Sequence, residues 1–350
     1  MIAGALVVTF KQCRTALNSI GWGVAVASLL AIYVGRTEYG RLQLGSGTLS
    51  NANGLAFILL LGLPFLWLMA GATDAPKLKR LLAFCFTLTT IYASVRTGSR
   101  AGLIGLLVLF LLFFLRASII GKLTFCVGVA AFSLCVFSFF PAIVQRYETM
   151  FVGAGAISQA HTAREASALG AAVGSSEARR KLLINSLKVT AEHPLLGVGI
   201  NGFGAYMAKK ETAEGIIPRY QGTHNTYTQV SSEAGIPALI IFLCIMIFSF
   251  QGLLRVYKRA KRSPTKVGRQ VADLCYALIS TLTAYAVCVF FDYVAYDATL
   301  PVLAGFAIAL GSAARNALEV AEYNQATAPV VAQAVVFPVR QRYASSSAVS

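Results

Sequence analysis

The chain has 350 residues, 57% of them hydrophobic and only 13% charged, with a mean hydropathy of +0.67 and a formal net charge of +16 at pH 7. Roughly a quarter of a soluble domain is charged, so this composition excludes an ordinary water-soluble globular fold. The seven cysteines lie in or beside apolar runs with neither zinc-ligand spacing nor a disulfide framework, and read as small apolar residues.

In chain order, Met1–Phe10 is apolar but too short to span a bilayer. It has no basic region before it and no clear small-residue cleavage site after it, so it does not read as a signal peptide. It reads as the tail of a span whose beginning lies upstream. Apolar runs of spanning length follow at Leu17–Gly35, Asn53–Ala72, Leu81–Val95, Ala101–Leu115, Leu123–Phe140, Pro237–Leu254, Ala272–Phe291 and Ala298–Ala314. A helix crosses the hydrocarbon core in about 20 residues, and continuous apolar runs mean helices, because only helices and closed barrels satisfy their backbone in lipid. The two shortest runs flank Arg96-Thr97-Gly98-Ser99-Arg100 and predict a helical hairpin.

The predicted fold is an all-α polytopic bundle of about eight spans with one long outer loop that contains short helices. Residues 1–140 hold the N-terminal spans, 141–236 the loop, 237–314 the C-terminal spans, and 315–350 a disordered cytoplasmic tail. With Lys11 on the inside and every span crossed in turn, the short inner loops hold 14 basic residues and the short outer loops hold Arg36, Arg41, Arg96 and Arg100. That bias fixes orientation by the positive-inside rule, with the loop on the outer side. The basic run Arg255–Arg269 then reads as an anchor near anionic lipid, and the net charge implies no nucleic-acid partner.

Within the loop, Phe151–Ser175 is rich in Gly, Ala and Ser and predicts poor order. Ser175–Glu192 carries apolar residues at a helical period, with Ser175 or Ser176 as its cap and Pro194 just past its end. The turn at Gly197, Gly199 and Gly202 spells a dinucleotide-binding pattern, but it follows a helix rather than a strand and sits in no βαβ unit. It reads as a flexible turn that folds the loop back onto the membrane surface; amides approaching a phosphate are the less favoured alternative. A second polar helix is predicted from near Thr223 into the span at Pro237.

His224 is one of three histidines and leads this segment. On helical geometry Asn225, Gln229 and Glu233 share one stripe, and His224, Thr228 and Ser231 the adjoining one. A broad polar face about to enter lipid turns to a cavity or the bundle interior. The bland alternative is a set of interfacial polar residues that solvates the helix end. Arg96 and Arg100 at the hairpin turn, with Arg179 and Arg180 on the loop helix, put several guanidiniums near the outer surface. Each alone reads as a snorkelling or solvated base; together they suit bidentate phosphate binding. His plus several Arg fits a lipid-linked diphosphate, with histidine taking a proton from an incoming hydroxyl. The outer face shows no Asp-x-Asp; Asp292 and Asp297, five residues apart at the last outer turn, could as easily cap helices, and no catalytic metal is expected.

Four pieces in order carry a resemblance. They are Gly47-Thr48-Leu49-Ser50-Asn51 with Asn53, then Thr97-Gly98-Ser99-Arg100, then Arg179 followed by His193-Pro194-Leu195-Leu196-Gly197-Val198-Gly199 and Phe203, and finally His224-Asn225 with Gly235 after nine residues. The pattern resembles the O-antigen ligase and polymerase superfamily of bacterial surface-polysaccharide enzymes. The resemblance implies a multi-pass inner-membrane glycosyltransferase that works without cofactor, nucleotide or metal. It implies transfer of a glycan from undecaprenyl diphosphate to an acceptor on the periplasmic face, such as lipid A core, the growing repeat or a protein hydroxyl. It implies His224 as catalytic base, Arg100 and Arg179 as the diphosphate clamp, to which the neighbouring Arg180 is added, and Asn225, Gln229, Glu233 and Gly235 as supporting residues. Ala238 stands where the ligase form of the motif usually carries Gly, Thr or Tyr, which leaves ligase and polymerase open. Family members usually carry further N-terminal spans. A polysaccharide transporter or flippase and a non-catalytic assembly scaffold are the competing readings.

Overall fold

The computed structural model describes residues 9–38, 40–45, 47–139, 144–145, 147–148, 163–218 and 220–334. Its helices are α1 (Phe10–Val34), α2 (Ala52–Gly71), α3 (Lys77–Arg96), α4 (Arg100–Arg116), α5 (Ile119–Phe139), α6 (Ala163–Glu192), α7 (Phe203–Ala213), α8 (Thr226–Arg262), α9 (Lys266–Cys288) and α10 (Thr299–Ala334). The strands among the described residues are one short antiparallel pair, β1 (Arg36–Glu38) and β2 (Arg41–Gln43). All eight apolar runs fall on helices. Six of these, α1, α2, α3, α8, α9 and α10, are long and apolar enough to cross a membrane. Helix α4 has 17 residues, and the apolar part of α5 is Ile119–Cys135.

Local chemistry starts each helix where it starts. Asn51, Ser99, Asn225 and Thr265 have extended or near-extended backbones, and their side chains accept from the amides of Asn53, Gly102, Thr228 and Gly268. These are N-caps, each worth about 1 kcal/mol. Pro76 precedes α3, where a missing amide costs nothing. The predicted hairpin between α3 and α4 is present, turned at Gly98, whose φ is +58°.

Helices α2 and α9 form the centre of the bundle. Leu55, Leu59, Leu60, Leu63, Phe65 and Leu66 of α2 are fully enclosed, as are Leu274, Leu278, Leu282 and Tyr285 of α9. Thr281 of α9 donates to the carbonyl of Leu61 at 3.1 Å, in the turn that Pro64 loosens. Helices α1, α3 and α4 pack around α2, while α4, α8 and α10 pack around α9. Apolar side chains on the outside, such as Leu111, Ile119, Ile120, Ile241 and Phe248, stay exposed, as a lipid-facing surface requires.

Polar contacts mark the two ends of this bundle. At one, Asp74 receives Arg14 at 3.2 Å and Gln270 at 2.8 Å, joining the start of α1, the α2–α3 connection and the start of α9. At the other, Arg41 donates to the Thr97 carbonyl at 3.1 Å and to Asn53 at 2.7 Å, and the Thr226 amide donates to the Val289 carbonyl at 2.9 Å.

Three expectations change. The loop helix begins at Ala163, so Ser175 and Ser176 lie inside it and cap nothing. Composition read as disorder over 163–175 is an alanine-rich stretch of high helix propensity. Helix α10 continues to Ala334, so residues 315–334 are helical where a disordered tail was expected. The expectations for residues 1–8, 151–162 and 335–350 lie outside the described residues.

Candidate functional site

The segment around His224 is held by contacts from all sides. Asn225 caps α8 through Thr228 at 3.1 Å. The Thr226 hydroxyl donates to the Asp292 carbonyl at 2.8 Å and accepts from the Val294 amide at 3.0 Å. Gln229 accepts from the Ala295 amide at 3.1 Å, and the Tyr227 hydroxyl donates to the Ala286 carbonyl at 2.9 Å. The polar face of α8 is therefore buried, as its position before lipid demanded. Its partners are the backbone of the α9–α10 connection and the side chain of Thr190, whose hydroxyl meets that of Ser231 at 2.8 Å. His224 itself has a φ of +50°, in the left-handed region that non-glycine residues seldom occupy. Strain of this kind persists only where the surroundings over-determine the backbone. Its ring meets Tyr293 edge to face, with centroids 4.9 Å apart.

Glu233 organises the other side. Its buried carboxylate accepts from the amides of Asn201 and Phe203, at 3.1 and 3.3 Å, and from the Tyr296 hydroxyl. The first two contacts satisfy amides at the start of α7, which have no partner within the helix. The glycine-rich turn is thereby fixed rather than flexible: Val198 and Gly199 amides donate to the Ser232 and Glu233 carbonyls, each at 2.9 Å. A Cβ on Gly197, whose φ is +64°, would lie 2.3 Å from the Glu233 carbonyl carbon. The turn follows a helix, which removes the dinucleotide reading.

Gly235 breaks α8, with φ +87° and ψ 172°. The break lets the Ile236 amide donate to the Pro194 carbonyl at 2.7 Å. A Cβ there would lie 2.1 Å from the Leu195 carbonyl oxygen. Gly235→Ala therefore meets both a forbidden dihedral and a backbone clash, and should destabilise by well over 1 kcal/mol. The expected result is a lower yield of folded protein and exposure of the 193–203 turn to limited proteolysis. A wild-type protection pattern would refute this.

Arg179 is the electrostatic centre. It projects from α6 half-buried, and its charge acts on Arg100, on His224 and on Asp292. Arg100 is the first residue of α4 and donates to the Ser176 hydroxyl of α6, one turn before Arg179. Burial lowers the Arg179 guanidinium below its usual value, and Asp292 opposes that shift. Burial raises the Asp292 carboxyl, against the amide of Tyr293 at 2.9 Å and the charge of Arg179. Burial, aided by repulsion from Arg179, pulls His224 down from 6.5 to about 4. The imidazole is therefore neutral at physiological pH and ready to accept a proton.

The predicted residues His224, Arg100 and Arg179 thus lie at one end of the bundle, and Asn225, Gln229, Glu233 and Gly235 hold the start of α8 and the turn beside it. Arg180 does not join them. It is exposed, and one residue along a helix turns the side chain by about 100°. Sequence reasoning missed Asp292, Tyr293 and Tyr296. Asp292 reads as a helix cap from the sequence, yet its carboxylate accepts from the next residue's amide and feels the charge of Arg179.

Fold and site together define a polytopic helical membrane protein that gathers a neutral histidine and two arginines at one end of its bundle. Residues 81–243 match the family model described as O-antigen ligase, which places that segment in the O-antigen ligase superfamily. Comparison with curated proteins finds no match. The matched segment contains Arg100, Arg179, His224 and Gly235, and so bears out the resemblance drawn from those motifs. The family indicates glycosyl transfer of the O-antigen ligase or polymerase kind, between a lipid-linked glycan and a glycan acceptor.

Proposed function

We propose that the protein moves a glycan from undecaprenyl diphosphate to an acceptor hydroxyl at the periplasmic face of the inner membrane, without a metal or cofactor. Arg100 and Arg179 receive the diphosphate. His224 takes the proton of the acceptor hydroxyl as its oxygen attacks the anomeric carbon. The bond from that carbon to the diphosphate oxygen breaks, and the electron pair leaves with the diphosphate, whose growing charge the guanidiniums stabilise. One displacement of this kind inverts the anomeric centre.

The observation that supports the reading is that Arg100 bonds Ser176, one turn before Arg179 on α6, and that Arg179 lies close enough for its charge to act on both Arg100 and His224. It ties the clamp to the base. With no donor bound, burial keeps the imidazole neutral and the charge of Arg179 adds to that effect. A bound diphosphate offsets that positive charge and favours the protonated form, so the base strengthens when its substrate arrives.

The direct test is purified protein with a polyprenyl-diphosphate glycan and a hydroxyl acceptor. Covalent transfer with release of polyprenyl diphosphate supports the proposal; movement of the donor across the membrane without transfer supports a carrier instead. A pH profile adds a second readout. His224 in the free enzyme gives kcat/KM an acid limb near pH 4. The acid limb of kcat, which reports the donor complex, is expected at higher pH. Coincident limbs would break the link between clamp and base. In cells, loss of a polymerase accumulates undecaprenyl-linked single repeats, and loss of a ligase accumulates undecaprenyl-linked long chains.

A further inference from the structure

A cavity of about 920 Å³ opens at the end of the bundle opposite His224. It is bounded by the first turns of α1, α3 and α9 and by the last turns of α2 and α4. Arg14, Lys79, Arg116, Lys266 and Arg269 line it, against Asp74 and Asp273 alone. The two aspartates are engaged by Arg14 and Arg116. Among the described residues, no carboxylate lies within ion-pair distance of Lys79, Lys266 or Arg269. Three cations on one cavity are thus left for an anion from outside the chain.

The opposite wall is apolar. Trp67 stacks on Phe113 with centroids 4.9 Å apart and planes 5° from parallel, and it remains 38% exposed. Leu68 and Pro64 continue this wall. Arg116 lies over the Tyr276 ring at 4.6 Å, where the cationic and apolar parts meet. Asn18 lines the same space, and its buried side-chain oxygen has no hydrogen-bond partner among the described residues. A buried acceptor of this kind calls for a donor such as a hydroxyl.

A small soluble anion would use the cations and leave the aromatic wall bare. An amphiphile with a phosphate, a hydroxyl and a hydrocarbon chain uses all of it. The volume lies at the upper end of the range for small-molecule sites, enough for a headgroup and the first part of a chain. Basic pockets between spanning helices are known receptors for anionic lipid headgroups. We infer that this cavity holds an anionic phospholipid by its phosphate, at a site separate from the one around His224.

The chain has two tryptophans, so Trp22→Phe leaves Trp67 in the cavity as the sole reporter. The full-length variant is reconstituted in nanodiscs of phosphatidylcholine carrying either acyl-brominated phosphatidylglycerol or acyl-brominated phosphatidylcholine. Half-quenching of Trp67 is expected at a mole fraction on the order of tenfold lower for phosphatidylglycerol. Replacing Lys79, Lys266 and Arg269 together by glutamine should abolish that preference. Replacing Arg255, Lys258 and Arg262, an equal charge on the same face, should keep it. No preference in the parent protein overturns the inference. Loss in both triple variants reduces it to surface charge, and loss in neither puts the lipid elsewhere; both outcomes overturn it. Relief of quenching by millimolar inorganic phosphate would give the site to free phosphate and equally overturn the lipid.

Discussion

His224→Asn is expected to slow glycan transfer by roughly 10²–10⁴ while the protein stays folded, the range for loss of a general base. The choice of asparagine matters. His224 sits at φ +50°, and asparagine tolerates the left-handed region better than alanine does. It also keeps a polar group beside Tyr293. If His224 served only to hold the turn before Asn225, this variant would be nearly active. Alanine adds a small backbone cost to the loss of the base, so comparison of the two separates strain from chemistry. Glycan transfer by purified protein is the rate to measure, with thermal melting as the control for folding. The acid limb near pH 4 should vanish along with the rate. Transfer by His224→Asn at wild-type rate would remove the base assignment, whatever the alanine variant does.

The bundle was legible because hydrocarbon imposes a simple code. Unbroken apolar runs have no alternative to helix in lipid, so eight runs became eight helices with few surprises. The caps at Ser99 and Asn225, which the sequence reading did not name, are equally local, each a polar residue accepting from the amide three positions on. The loop was less legible for the same reason reversed. Outside lipid, the alanines and glycines of 163–175 carry no compulsory state, and helix propensity decided what composition had assigned to disorder. Glu233 was placed on the right stripe, but its partners were invisible. They are backbone amides at Asn201 and Phe203, some 30 residues earlier, and a hydroxyl at Tyr296, some 60 later. Backbone donors leave no mark in a sequence. Asp292 did leave one: a carboxylate directly between aromatics at an outer turn, a costly place for a charge without a partner. Such a carboxylate calls for a distant cation rather than the helix cap read from the sequence, and Arg179 supplies it.

Arg179→Ala is the second large effect, and it tests the clamp and its coupling to the base together. Removing one preorganised cation from a developing negative charge costs roughly 10²–10³ in kcat. The loss should fall on kcat more than on KM, because the charge on the diphosphate grows as the glycosidic bond breaks. Lysine should restore only part of it, since a point charge lacks the planar fork that two phosphate oxygens accept. Full rescue by lysine would mean that charge alone was required. A further signature follows from the sign of the coupling. Repulsion from Arg179 helps to keep His224 near 4, so without that cation the imidazole is easier to protonate and the acid limb of kcat/KM moves to higher pH. Arg179→Lys keeps a positive charge and should leave the limb close to its original place. Arg180→Ala serves as the matched control, because that side chain is exposed and turned aside, and it should lose no more than a few-fold in rate. Equal losses at 179 and 180 would mean that the loop helix contributes diffuse positive charge rather than one aimed guanidinium. A limb that stays fixed in Arg179→Ala would separate the histidine from the clamp and leave the two as neighbours without a shared task.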